Sequence, residues 1–382
     1  MASSRSRAWF PDLEVLRALA CVAVIGAHLI WQATRPAEAG LTRALLLTLA
    51  QPLVLSVGWF AIISGFLLAR SFPAGRPWSD LRPRLLAIGL PTLLWSLLYL
   101  LLDCDFFLGW SAAVAWRTAW RSLLFGVEHL YFINVLFQFY LAFPALRWAK
   151  EKLGAAPFLG LCLMITSAYL WLAPGWLAGV TLPKSVWASY AGFLPAWLAQ
   201  FAFGMVAADQ AGRLRRPPSS WRPAITLAAL ALTAAMALWY YERLGALGNE
   251  GPAEIPNFRP DGALLGMVTA TALLPLCDRL ARTSLLPALR VISAGSFALY
   301  LMHPLAQRVA AHLLGPMAAP GPAVALYGAV TVTLTAALFW LASLTRLMRK
   351  LTGLEQARKL RRRAEEASPG AIPTASLAGP PA

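Results

Sequence analysis

Residues 13–32 read LEVLRALACVAVIGAHLIWQ, an apolar run broken by Glu14, Arg17 and His28. A bilayer core is ~30 Å thick and takes about 20 mostly apolar residues of helix. Arg5 and Arg7 precede the run, as in a secretory leader, but it contains a charge and an imidazole and no small-residue cleavage site follows closely. It reads as a first transmembrane helix that stays in the protein.

The rest of the chain agrees. Of 382 residues, 59% are hydrophobic and 13% charged, where soluble domains carry roughly 25% charge. The mean hydropathy is +0.60. A water-soluble core would not hide this much apolar surface. The 16 Trp and 28 Pro also suit a membrane, where Trp lines interfaces and Pro is tolerated inside spans. The net charge of +16 does not point to nucleic acid, because the basic residues are dealt out between apolar runs instead of forming one patch.

Ten spans are predicted, at roughly 13–32, 45–69, 85–102, 129–146, 156–173, 189–208, 222–240, 262–278, 292–312 and 322–345. With the N-terminus inside, 24 Lys and Arg fall in cytoplasmic segments and 7 outside; Arg17 and Arg308 lie within spans. This obeys the positive-inside rule and places both termini in the cytoplasm. The expected architecture is all-α and polytopic. Residues 1–345 form the membrane domain, and residues 346–382 a basic, then disordered, cytoplasmic tail. The external loop 241–261 gathers Glu242, Glu250, Glu254 and Asp261 beside Tyr240, Tyr241, Asn249 and Asn257. That mixture suits a hydroxyl-rich ligand such as a sugar, or is a plain solvated loop. Cys21 and Cys162 lie in apolar runs, Cys277 near a basic loop and Cys104 in an external one. Neither a metal-ligand spacing nor a disulfide framework is evident.

Polar groups inside spans are costly and face the protein interior or a cavity. Arg17 and His28 are eleven residues apart, so they share a helix face ~16 Å apart along its axis. Arg17 at the cytoplasmic mouth suits an arriving anion; the deeper His28 suits proton transfer at a hydroxyl. The alternatives are an interfacial anchor paired with Glu14 and a hydrogen-bonded packing residue. In the ninth span Ser296, Tyr300 and His303 fall on one face, and Pro304 breaks the helix beside them. At the start of the fourth span, Glu128, Tyr131, Asn134 and Gln138 form a polar stripe, with His129 beside it. The stripe lines an acceptor groove or serves as interhelical glue. Arg82 and Arg84 precede Trp95 and Tyr99 of the third span, placed to bind phosphates or to anchor the loop.

Together these pieces resemble the acyltransferase 3 family of membrane O-acyltransferases. The first span matches its Arg-x10-His pattern as Arg17 to His28. The second ends in Phe60-Ala61-Ile62-Ile63-Ser64-Gly65-Phe66, close to its F-x-x-S-G-F with one more residue between the first Phe and the Ser. His129-Leu130-Tyr131-Phe132 resembles its His-Leu-Trp-Phe, and Ser296 to His303 its Ser-Phe-x-x-Tyr-x-x-His. The likeness covers about residues 8–345. Two departures stand out. Arg82-Pro83-Arg84 replaces the family's Arg-x-x-Arg, and Tyr131 its Trp.

The resemblance implies transfer of an acyl group, commonly acetyl, from cytoplasmic acyl-CoA to a sugar hydroxyl. Such sugars are often part of an extracytoplasmic exopolysaccharide or lipopolysaccharide, so a bacterial inner membrane is expected. It implies His28 as the catalytic histidine and Arg17 as its partner in donor handling. Ser296, Tyr300 and His303 are expected to support them, and Arg82 and Arg84 to bind donor phosphates. Acyl-CoA is a co-substrate; no resident cofactor or metal is expected. The site is expected between the first and ninth spans. The main rival is a transporter or flippase for a glycan intermediate, which also carries intramembrane Arg and His. A lipid-linked glycosyltransferase using Asp103, Asp105 or Glu128 is a weaker rival.

Overall fold

The computed structural model describes residues 10–34, 40–72, 82–103, 128–177, 191–210, 221–246, 259–317 and 319–355. Cys104, Asp105, the loop groups Asn249, Glu250, Glu254 and Asn257, the side chain of Glu128 and the tail from 356 onward lie outside them. The described residues form helices α1 (Pro11–Thr34), α2 (Leu41–Val54), α3 (Ser56–Ser71), α4 (Arg82–Asp103), α5 (Tyr131–Leu153), α6 (Ala155–Leu177) and α7 (Leu198–Asp209). They continue with α8 (Trp221–Ala246), α9 (Pro260–Leu280), α10 (Leu286–Leu314), α11 (Pro320–Leu344) and α12 (Arg346–Leu351). Short 3-10 turns at Glu128–Leu130 and Leu194–Trp197 lead into α5 and α7. Among the described residues there is no strand.

Helix therefore falls in each predicted stretch, with two local differences. The second stretch parts at Leu55 into α2 and α3. Pro52 cannot donate to the helical ladder, and the Ser56 hydroxyl takes up the Leu53 carbonyl at 2.5 Å. The sixth stretch is regular only from Leu198, because residues 191–197 form a turn built on Pro195. Six helical units are long and apolar enough to cross a membrane, α2 and α3 counting as one. The chain is a multi-pass membrane protein. Helix α10, at 29 residues, is not among the six; its buried polar stripe lowers its apolarity.

Helix α1 lies at the centre, packed against α2, α3, α9, α10 and α11. The closest helix pair is α3 with α7. A Cβ on Gly65 would stand 2.1 Å from the Phe201 carbonyl oxygen, and one on Gly204 would stand 2.0 Å from that of Ile62. Two glycines thus let the backbones touch, as small residues do at membrane helix crossings. Beside this crossing, the Phe139 and Phe201 rings stack at 4.0 Å. Helix α4 is peripheral. Leu86, Leu90, Leu93, Leu97 and Leu101 are exposed, while Thr92, Ser96 and Tyr99 are buried toward the bundle.

Candidate active site

Helix α10 contributes Ser293, Ser296, Tyr300, His303 and Gln307, all buried. Steps of three and four keep them on one face of a helix. Helix α1 meets that helix at three levels. Arg290 Nε lies 3.4 Å from Glu14 Oε2, Arg17 Nε donates to Ser296 Oγ at 2.7 Å, and Gln307 Nε2 donates to the Ile25 carbonyl at 3.3 Å. Numbers rise together on both helices, so α1 and α10 run parallel. Glu14, a candidate partner for Arg17 on sequence grounds, pairs with Arg290 and also lies within electrostatic reach of Arg17. Arg17 is held by Ser296.

Further along the pair, three histidines from three helical segments come together. The His28 ring on α1 lies 5.3 Å from the His303 ring on α10, centroid to centroid. The His129 ring, from the turn before α5, lies 5.3 Å from His303 and 5.2 Å from Tyr300. The Tyr300 hydroxyl donates to the His129 backbone carbonyl, which fixes that turn against α10. His303 Nδ1 lies 3.2 Å from the Leu299 carbonyl. Both ring nitrogens of His129 and Nε2 of His303 are buried without a hydrogen-bond partner. Buried polar atoms are rarely left so, and a ligand with donor and acceptor groups would complete them. Among the described residues, no three His, Cys, Asp or Glu side chains converge as metal ligands do.

Four further residues belong here that sequence reasoning gave no role. The Tyr99 ring stands edge-on to His129 at 5.2 Å. The Arg308 guanidinium lies 5.3 Å over the Tyr99 ring. Trp31 sets its edge against His28 at 5.6 Å. Tyr140 on α5 lies within electrostatic reach of Arg17 and within hydrogen-bonding reach of Arg84. Arg308 carried a signal, being a charge inside a span. Tyr99 and Tyr140 carried none, because an aromatic in an apolar helix is most often packing.

The expected donor-binding residues divide. Arg84, half-buried at the start of α4, stacks over Phe72 at 4.5 Å, and both it and Arg17 lie within electrostatic reach of Tyr140. Arg82 is exposed. The expected acceptor stripe also divides. Tyr131 stacks on Trp197 at 6.4 Å, and Asn134 is half-buried on α5. Gln138 ties α5 to the turn before α7. Its amide donates to the Gly192 carbonyl at 2.6 Å and accepts from the Leu194 N–H at 2.8 Å.

These features define a class: a multi-pass helical membrane protein with buried histidines gathered inside the bundle. The comparisons with known proteins then give its family. A model described as an acyltransferase domain matches residues 10–340, and the chain belongs to this acyltransferase 3 family. It is a membrane acyltransferase. A protein of Bacillus subtilis (strain 168) named "Putative membrane-bound acyltransferase YfiQ" is 28% identical over 306 residues, covering 76% of this chain and 79% of that one. No solved structure matches the chain.

Proposed function

We propose that this acyltransferase moves an acyl group, acetyl in the simplest case, from cytoplasmic acyl-CoA to a hydroxyl of a cell-surface or lipid-linked sugar. It does so across a bacterial inner membrane with ten crossings and both termini inside. The observation that carries this reading is the polar column along α1 and α10. Arg17 marks one end, and the His28–His303–His129 cluster lies about 16 Å further along α1. Arg17 and Arg84, both within electrostatic reach of Tyr140, supply positive charge for the donor's phosphates. The parallel course of α1 and α10 supports the topology, since the first and ninth of ten crossings run in the same direction.

In this reading the thioester reaches from the basic end to the histidines, and the sugar hydroxyl enters from the other side. His28 takes the hydroxyl proton as general base. The sugar oxygen attacks the thioester carbonyl, and the new C–O bond forms. The tetrahedral oxyanion collapses, the C–S bond breaks, and His28 returns the proton to the departing CoA sulfur. His303 Nε2 and the His129 nitrogens lie unpartnered beside His28, available to hold the acceptor hydroxyl or the oxyanion.

Acceptor-dependent release of free CoA from acetyl-CoA tests this, using purified protein in detergent with membrane glycolipid. Turnover in wild type and its loss in folded His28→Ala is the expected result. Turnover indifferent to His28→Ala would remove that residue from the chemistry. Radioactive acetyl retained on the protein through His28 after a single turnover would replace the base with an acyl carrier. CoA release without any sugar acceptor would overturn the proposed substrate class.

A further inference from the structure

Tyr99 makes contacts that its place in a leucine-rich, peripheral helix does not foreshadow. It is fully buried. Its hydroxyl donates to the Leu301 carbonyl at 2.6 Å and accepts from the Leu305 N–H at 3.1 Å. Leu301 and Leu305 are four residues apart, and in a regular α-helix the second donates directly to the first. The Tyr99 hydroxyl bridges that pair from a neighbouring helix. One residue earlier, Pro304 has no N–H to give the Tyr300 carbonyl. The helix runs unbroken from Leu286 to Leu314 and is not broken at Pro304 as its sequence suggested, but at two consecutive positions its ladder lacks a donor or is bridged by a hydroxyl, and His303 lies inside that turn. Side chains that insert into the ladder bend helices and re-aim what the turn carries. The same tyrosine sets its ring against His129 at 5.2 Å, so it touches both segments that bring histidines to His28.

The geometry points to Tyr99 as a positioning residue for acyl transfer. Its hydroxyl holds the Pro304 turn open so that His303 faces His28, and its ring holds His129 against that turn. Tyr99 does not itself touch the reacting atoms. This rests on the placement of the reacting centre at the histidine cluster. Removing only the hydroxyl lets Leu305 donate directly to Leu301, which tightens the turn and swings His303. Misplacement of about 1 Å costs about 100-fold in rate.

The test compares wild type, Tyr99→Phe, Pro304→Ala and the double variant by CoA release, with the melting temperature measured for each. Tyr99→Phe is expected to lose about 10- to 100-fold in kcat while the KM for acyl-CoA stays within about twofold. Pro304→Ala restores the missing N–H to the same turn. Adding Tyr99→Phe to it is therefore expected to cost under about threefold more, the non-additivity of two changes in one element. A Tyr99→Phe enzyme as fast as wild type overturns the proposal. So do full additivity of the two losses, and a loss in kcat matched by an equal rise in KM with a large drop in melting temperature, which marks a scaffold residue. Absence of turnover in the wild type with every acyl-CoA tried is a different result and strikes the acyl-CoA reading instead.

Discussion

The Arg17 guanidinium donates to Ser296 Oγ at 2.7 Å, joining two residues 279 positions apart in the chain. Seven residues on from Ser296, about 10 Å along α10, is His303. Eleven residues on from Arg17 is His28, whose ring lies 5.3 Å from His303. This contact is one of three that hold the helix pair, with Glu14–Arg290 and Ile25–Gln307 on either side of it.

Ser296→Ala removes the hydroxyl that Arg17 donates to. A hydrogen bond to a charged group is worth about 1.5–3 kcal/mol, so a lower melting temperature and a raised KM for acyl-CoA are expected. Thermal unfolding in detergent with steady-state kinetics checks both. A variant indistinguishable from wild type in both would show that other contacts hold the register.

His28→Ala is expected to lower kcat by about 10²–10⁴-fold, the usual contribution of a positioned general base. His303→Ala is expected to cost less, about 10–100-fold, because His303 supports the centre without taking the proton. Comparing kcat for the two folded variants decides the ranking; a larger loss at His303 would exchange their roles.

Arg84→Ala should raise the KM for acyl-CoA and leave kcat nearly unchanged, because the charge serves binding and not chemistry. The wild-type KM should itself rise with ionic strength, as an interaction between charges is screened by salt. A lowered kcat at constant KM would place Arg84 outside donor binding.

Gly65→Ala is expected to destabilise the fold more than an ordinary overpacking change of about 1–3 kcal/mol. A Cβ there meets backbone 2.1 Å away, which no rotamer change relieves. Gly204→Ala should act alike, and adding it to Gly65→Ala should cost less than the sum. Size-exclusion recovery and melting temperature measure this. Unchanged stability in either single variant contradicts the close crossing of α3 and α7.

Gln138→Ala leaves the Gly192 carbonyl and the Leu194 N–H without their side-chain partner. Each unsatisfied group costs about 1–3 kcal/mol when buried. A lower melting temperature with an unchanged KM for the sugar is expected; the reverse pattern would return Gln138 to the acceptor groove.

The helical, membrane-spanning character of the chain was legible in the sequence, because burial in lipid demands long apolar stretches whatever their order in space. Arg17, His28, Ser296, Tyr300 and His303 could be picked out too. Polar groups are so costly in such stretches that each one present asks for a reason. Helical spacing alone placed Arg17 and His28 on one face.

What pairs with what was settled only in three dimensions. That Glu14 pairs with Arg290, that Gln138 bonds the turn before α7, and that Arg84 is half-buried near Tyr140 while Arg82 is exposed all depend on how helices distant in sequence pack. Gly65 was visible as a motif letter, but its reason is the Phe201 carbonyl on another helix. Tyr99 was visible only as an aromatic of the third span, with no sign of its partner. A hydroxyl bridging the ladder of a helix some 200 residues away is a relation between two backbones and a side chain. Composition, periodicity and spacing describe one segment at a time, whereas the tertiary fold decides which unpaired groups meet.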